Sequence, residues 1–362
     1  MLQAGIIGCG FIAEKHVKTI AKTKGISLVA VSDLDEKKMQ QIHARYQEAL
    51  HEKVSVQQFR DYRKLLADSS IDVVVIAVSS GLHASFAKEA IKKGKHVMLE
   101  KPLALSLQDA DDIIQLAKKH RKKVQVCHQL RYRPLMQRLH ELISKDVFGE
   151  IYFGVISMRL NRSESYFKSS SWKGTWEKDG GMLVNQGIHF IDLLIWLMGE
   201  PKSVYGELLR VSTEKEIEDI ATGIITYQNG AKGLIEANTI TKPNNIGYSL
   251  ALFGSKGTIC IGGKGFNQVK HCYVEGNHKV KNELTKLSHQ TDEQHAMYED
   301  FIQAIVRDQT NLVNPSEGKK ALEAIFALYE SHIENMSIPL PLESFSTEEM
   351  SKKVKGKEKD DD

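Results

Sequence analysis

Two short stretches carry groups suited to chemistry. The first is "GCGFIA", residues 8–13, between an apolar run and a helical pattern. Gly8, Gly10 and Ala13 have the spacing of a dinucleotide-binding turn. In such a turn Gly8 permits a tight bend, Gly10 lets the backbone approach a pyrophosphate, and Ala13 keeps the following helix close to its sheet. Phe11 and Ile12 open that helix, whose free N–H groups suit an anion. The next apolar run, "SLVAVSD", ends in Asp33, placed to bond adenosine ribose hydroxyls. The competing use of Asp33 is to cap the helical pattern "EKKMQQIHARY"; the preceding glycines favour the ribose. An acid there repels a 2′-phosphate, which favours NAD, while Ser32 and nearby lysines keep NADP open. The second stretch is "MLEKP", residues 98–102, where Glu100, Lys101 and Pro102 end an apolar run. Charges are costly to bury and proline cannot continue a central strand. In an open parallel sheet, ligands bind beyond the carboxyl ends of strands, so Glu100 and Lys101 project toward a cofactor. On these residues alone, a surface ion pair leading into a loop is an equal alternative.

The elements around these stretches divide the chain in two. Up to about residue 125, the runs "QAGIIG", "SLVAVSD", "VVVIAVS", "KHVMLEK" and "KVQVCHQ" alternate with amphipathic helical segments. That predicts a parallel sheet covered on both faces. From about residue 150, "EIYFGVISMRL", "SVYGELLRVS", "ATGIITYQNG", "KGLIEANTI", "YSLALFGS" and "GTICIGG" follow one another with few helices between them, which predicts an antiparallel sheet. Helical patterns return at "GIHFIDLLIWLMG", "HAMYEDFIQAIVRD" and "GKKALEAIFALYESHIENM", and "SKKVKGKEKDDD" reads as a solvated tail. The fold class is therefore α/β.

Bulk properties exclude several classes. The 362 residues suit about two domains, and 41% hydrophobic with 26% charged residues is an ordinary soluble composition. A net charge of +3 gives no nucleic-acid or membrane surface, and no apolar run spans a bilayer. No secretion signal opens the chain, and Cys9, Cys127, Cys260 and Cys272 lack metal or redox spacing, so a cytoplasmic protein with no metal is expected.

"GCGFIA", "EKPLAL" and "GGMLVNQGIHFIDLLIWLMG", in this order, resemble the Gfo/Idh/MocA oxidoreductases over residues 1 to about 340. The resemblance implies an NAD(P)-binding Rossmann domain over 1–125 and a substrate-binding and oligomerisation α/β domain over 126–345. The second domain would be built on an open, mostly antiparallel sheet and followed by a charged flexible tail over 346–362. It further implies a nicotinamide cofactor, a sugar or polyol substrate and a homodimer or homotetramer. Lys101 would lie beside the nicotinamide and substrate. The family usually has Asp four residues before the histidine of its second motif; the matching positions are Asn185 and His189. On a helix that spacing puts both on one face. An amide cannot take a proton at neutral pH, so Asn185 can orient a hydroxyl but not act as a carboxylate. Ser79 and Ser80 replace the usual Thr-Pro after the fourth strand, and His83 keeps its place near the cofactor pocket.

"NRSESYFKSSSWKGTWEKDGGMLVNQGIH" and "HQLRYRP" are similar to the subgroup of UDP-N-acetylglucosamine-uronate 3-dehydrogenases of the WlbA type. Such a substrate has a carboxylate and a diphosphate, which arginine binds through forked hydrogen bonds. Arg131, Arg159, Arg162 and Lys173 are the candidate cations, and Tyr166 and Trp172 the candidate sugar-packing rings. The implied reaction is NAD-dependent oxidation of a secondary alcohol, at C3 of a UDP-N-acetylhexosaminuronate or related nucleotide sugar. His189 would accept the proton slightly ahead of Lys101, with both touching the hydroxyl. Two alternatives stand beside it: an inositol or free-sugar dehydrogenase of the same fold, and a non-catalytic protein that senses NAD or a sugar.

Overall fold

The structure is a computed structural model that describes residues 1–360, the side chains of 354–360 apart. The chain divides into two compact units. The first comprises Met1–Ala104, Gln108–Gln129 and Asp292–Lys319; the second comprises Leu105–Leu107, Leu130–Thr291 and Lys320–Asp362.

In the first unit six strands, β1 (Leu2–Ile7), β2 (Ile26–Ser32), β3 (Gln57–Phe59), β4 (Val73–Ile76), β5 (His96–Leu99) and β6 (Val124–Val126), form a sheet of order β3-β2-β1-β4-β5-β6. Every pairing is parallel. The β-branched runs are buried on both faces, as a helix-covered sheet requires: Val73, Val74, Val75 and Ile76 are all inaccessible. Between the strands lie α1 (Phe11–Lys22), α2 (Glu36–Leu50), α3 (Tyr62–Ala67), α4 (His83–Lys92) and α5 (Leu107–Lys119). Helix α1 buries Ala13, His16, Val17 and Ile20 at helical spacing, so one polar residue shares its apolar stripe. The helix Glu293–Val306 also belongs to this unit, which therefore extends beyond the 1–125 read from sequence. Backbone pairing explains part of that return: Val126 N–H donates to Val313 O at 2.9 Å.

The second unit holds α6 (Pro134–Ser144), β7 (Ile151–Arg159), α7 (Glu164–Lys168), a π-turn over Leu183–Gly187 that runs into α8 (Ile188–Met198), and strands β8 (Pro201–Leu209), β9 (Ile220–Tyr227), β10 (Lys232–Asn238), β11 (Gly247–Gly254), β12 (Gly257–Gly263), β13 (Gln268–Val274) and β14 (Ile338–Pro339). The sheet order is β13-β12-β11-β7-β10-β9-β8-β14. All pairings are antiparallel except β10 with β7. Helix α8 is apolar almost all round and packs on one face of this sheet. Gly154 admits it, since a Cβ there would stand 2.8 Å from a Leu194 methyl. On the opposite face Phe153 and Phe253 pair in register and stack at 5.9 Å, and the same cross-strand row ends at the exposed Tyr273.

The expected flexible tail is corrected over residues 347–353. Thr347–Asp360 is a helix, Thr347 and Met350 are fully buried, and Lys353 Nζ bonds the Glu330 carboxylate at 3.1 Å. These two buried residues lie about one helical turn apart, which the surrounding charges hid. Residues 361 and 362 of the expected tail lie outside the described residues. Among the described residues no helix is long and apolar enough to cross a membrane.

Candidate active site

The glycine turn is built as its sequence demands. Gly8 has φ +91°, and a Cβ would stand 2.5 Å from Ala77 O, so only glycine fits. Gly10 caps α1, and a Cβ there would meet nothing within 4 Å, which leaves open space over the helix N-terminus. Phe11 is 83% exposed, and Ile12 follows it in the first turn. Asp33 ties this loop to the end of β2: Oδ2 accepts from Cys9 N–H at 2.7 Å and Oδ1 from Asp35 N–H at 3.0 Å. The cap of α2 is Asp35, accepting from Lys37 N–H at 2.9 Å, so Asp33 has no capping duty. Burial, then the Asp33 charge, pushes the Cys9 thiol up to about 12 and makes it unreactive. An open helix N-terminus beside a glycine turn, with a carboxylate at the end of the next strand, fits a dinucleotide.

At the end of β4, Ser79 is half-buried and precedes the turn Ser80–Leu82. His83 is buried, with Nδ1 2.7 Å from Pro102 O and Nε2 3.1 Å from Val78 O. Burial depresses its pKa, so the ring is neutral and ties the loops after β4 and β5 together. Both ring nitrogens thus face backbone oxygens, which corrects the expectation of His83 as a cofactor-binding group without moving it from beside the loops after β4 and β5.

Glu100 follows β5 and is 8% exposed. Its Oε1 faces His16 Nε2 at 2.9 Å, its Oε2 accepts from Lys101 N–H at 3.3 Å, and His16 Nδ1 stands 2.7 Å from the Tyr298 hydroxyl. A carboxylate only accepts, so His16 Nε2 carries a proton; in the neutral ring Nδ1 accepts from Tyr298. Burial pushes the Glu100 carboxyl up, but the His16 bond and the nearby Lys101 charge outweigh it, and its pKa is lowered. Burial also holds the Cys127 thiol protonated beside Glu100. His16, Glu100 and Cys127 bring three potential ligand atoms within 4.8 Å of one another, a group that hydrogen bonds already satisfy. Glu100 thus bonds inward to His16 and to the Lys101 N–H, which corrects the expectation that its side chain projects toward a cofactor. Lys101 remains half-buried at the strand end.

In the second unit Arg131 is 1% exposed. Its Nε and Nη2 bond both oxygens of Asp192 at 2.8 and 2.7 Å, and its guanidinium stands 5.5 Å from the centre of the Trp196 ring. Arg131 is a core ion pair, which corrects its assignment to substrate. Arg159 is paired with Glu236 on the sheet, Nε to Oε1 at 2.8 Å. The other candidates do gather. The Arg162 guanidinium lies 5.1 Å and Lys173 Nζ 4.3 Å from the Tyr166 ring centre, and Lys173 Nζ is 5.9 Å from that of Trp172. Burial, then the Asp179 charge, raises the Tyr166 phenol, and hydrogen bonds from Arg162 and Asn185 oppose it. Asn185, inside the π-turn, and His189, in the first turn of α8, are both half-buried. Inserted π-turns recur at functional sites.

Four buried groups around these positions were missed in the sequence: His16, Tyr298, Asp179 and Glu218. His16 alone left a signal, as a polar residue on an apolar helix stripe. Asp179 Oδ2 accepts from Gly174 N–H at 2.8 Å, and Oδ1 accepts from Asn185 Nδ2. Glu218 Oε1 accepts from Leu183 N–H at 3.0 Å, at the start of the π-turn, and from the Tyr329 hydroxyl at 2.8 Å. Burial pushes its carboxyl up to about 6. Gly181, at φ +103°, leaves room that a Cβ would take from the Tyr329 hydroxyl.

Two family models match the chain. The NAD-binding Rossmann domain of the Gfo/Idh/MocA oxidoreductase family covers residues 2–128, and that family's C-terminal α/β domain covers 140–340. The chain belongs to this family. A crystal structure of the WlbA dehydrogenase from Chromobacterium violaceum, in complex with NADH and UDP-GlcNAcA, is similar at 28% identity and a TM-score of 0.87, over 94% of this chain and 96% of that one. The WlbA dehydrogenase from Bordetella pertussis, crystallised with the same two ligands, has 28% identity and a TM-score of 0.85 over 94% and 99%. The myo-inositol 2-dehydrogenase of Thermotoga maritima is 24% identical over 94% of this chain and 98% of its own length. The chain is an NAD-dependent oxidoreductase acting on alcohol groups of sugars or polyols.

Proposed function

We propose that this oxidoreductase oxidises C3 of a UDP-N-acetylhexosaminuronate. The observation that carries the reading is the cluster of Arg162, Lys173, Tyr166 and Trp172 on the segment that meets Asn185. Two cations over two aromatic rings suit a ligand with anionic groups and a sugar face, and an uncharged polyol has no use for the cations.

Gly8, Gly10 and the first N–H groups of α1 hold the pyrophosphate, with Phe11 and Ile12 at its edge, and Asp33 meets the ribose. Ser79 lines the cofactor after β4. When bound, NAD supplies the hydride acceptor. A ring nitrogen of neutral His189 accepts the hydroxyl proton as the C3 hydrogen leaves with its electron pair. Lys101 shares that proton path, held at its strand end by Pro102 and by the Glu100–His16 pair behind it. Asn185 orients the hydroxyl. The roles of Lys101 and His189 rest on the motif each one matches. The uncovered sheet face with Phe153, Phe253 and Tyr273 supports a homodimer or homotetramer.

The test is incubation of purified protein and NAD with UDP-GlcNAcA, UDP-GlcNAc and myo-inositol, followed by NADH absorbance and mass spectrometry of the sugar. A 3-keto product from UDP-GlcNAcA alone is expected. Mass spectrometry detects it even if the cofactor is recycled in place. Oxidation of myo-inositol in preference to the nucleotide sugar would overturn the reading.

A further inference from the structure

Asn185 stands where the family's second motif usually has a carboxylate, and the structure brings a different carboxylate to it. Asp179 lies six residues earlier and is 1% exposed. Its two oxygens have separate tasks: Oδ2 takes the backbone N–H of Gly174 at 2.8 Å, and Oδ1 takes the amide of Asn185. A carboxylate accepts and never donates, so the group of Asn185 that faces it is the NH2. The orientation of this amide follows from the chemistry of its partner. Its nitrogen is held toward Asp179 and its carbonyl oxygen is turned the other way.

We propose that Asp179 is a positioning residue that fixes the Asn185 amide with its nitrogen inward, so that Asn185 meets the substrate as a hydrogen-bond acceptor. This rests on the reading that Asn185 orients the substrate hydroxyl. The arrangement separates two properties that a motif Asp combines. The acceptor stays at position 185 without charge, and the charge sits at buried Asp179 against a backbone N–H. An uncharged acceptor beside His189 does not raise that ring's proton affinity as a carboxylate would.

The experiment compares Asp179→Asn with the exchange variant Asp179→Asn/Asn185→Asp. In the single variant the new amide at 179 still accepts from Gly174 through its oxygen, which leaves its NH2 facing Asn185. Asn185 must then turn its oxygen inward and present a donor. With UDP-GlcNAcA, kcat/KM falls about 10- to 100-fold, the range for a misaligned buried hydrogen bond, and NAD affinity is unchanged. In the exchange variant the NH2 at 179 donates to the new carboxylate, whose second oxygen accepts again, and most of the loss is recovered. An Asp179 that served only to hold the Gly174 N–H would give no such recovery, because both variants keep an oxygen there. The ligand-free readout is the side-chain amide signal of Asn185 in protein with ¹⁵N-labelled asparagine, assigned by its absence in Asn185→Asp. Its protection from hydrogen exchange is lost in Asp179→Asn. If wild type does not turn over UDP-GlcNAcA, the functional reading fails and the amide signal decides the positioning claim by itself. An unchanged amide signal overturns the proposal, as does an exchange variant that folds without recovering activity on a substrate the wild type uses. If only the single variant fails to fold, the exchange variant's fold is itself the rescue; failure of both to fold counts against it.

Discussion

Glu218→Gln tests how the turn that carries Asn185 is held. Glu218 is 2% exposed, bonds the Leu183 N–H and the Tyr329 hydroxyl through Oε1, and has its carboxyl pushed by burial from 4.5 to about 6. The folded protein therefore binds this proton more tightly than the unfolded chain does. The stabilisation is fully present below the unfolded value of 4.5 and is lost as pH rises through about 6. At 1.36 kcal/mol per tenfold difference in proton affinity, the whole loss is about 2 kcal/mol. Roughly 1.2 kcal/mol of it falls between about pH 5 and pH 7.5. Glutamine keeps the shape and the Oε1 acceptor but stays neutral at every pH. Any fixed effect of its NH2 is independent of pH, and other carboxylates titrate equally in both proteins. Urea unfolding of the two proteins across this range should therefore show the variant gaining on wild type by about 1.2 kcal/mol as pH rises. A stability difference that stays flat within about 0.5 kcal/mol, or grows toward low pH, would refute the buried-carboxylate account.

Three further outcomes follow from the geometry. Lys101→Ala should lower turnover by about 10²- to 10⁴-fold, the usual worth of a positioned acid–base group, while NAD affinity by calorimetry changes far less; equal losses in both would make Lys101 a cofactor anchor. Gly8→Ala forces a side chain into a φ of +91° and onto Ala77 O, so NAD binding should be lost and thermal stability should fall by more than about 1 kcal/mol. Arg131→Ala strands the buried Asp192 carboxylate and should cost about 3–5 kcal/mol in urea unfolding, whereas a substrate-binding arginine would raise KM and leave stability alone.

Legibility differed between the two halves for a physical reason. The inner strands of the first sheet are short runs buried on both faces, so apolar continuity, glycine spacing and the strand-ending "MLEKP" carry the fold in local order. The helix α8 was legible too, because it is apolar almost all round, but the π-turn that precedes it was not. The charged end of the chain misled, since Thr347 and Met350 are buried on a helix whose sequence is mostly charged. Arg131 misled in the opposite way. A guanidinium reads as a ligand for anions, and nothing local shows that its anion is Asp192, sixty-one residues on.

By itself, the sequence determined the two kinds of sheet, their place in the chain and the nucleotide turn, because periodicity and motif spacing act between near neighbours. The tertiary structure alone decided the partners of the buried polar groups. His16 meets Tyr298 across 282 residues and Glu100 across 84, and Glu218 meets Tyr329 across 111. Such partners are chosen by the cost of leaving a polar group unpaired in the core, and that cost arises only when folding removes water from around it.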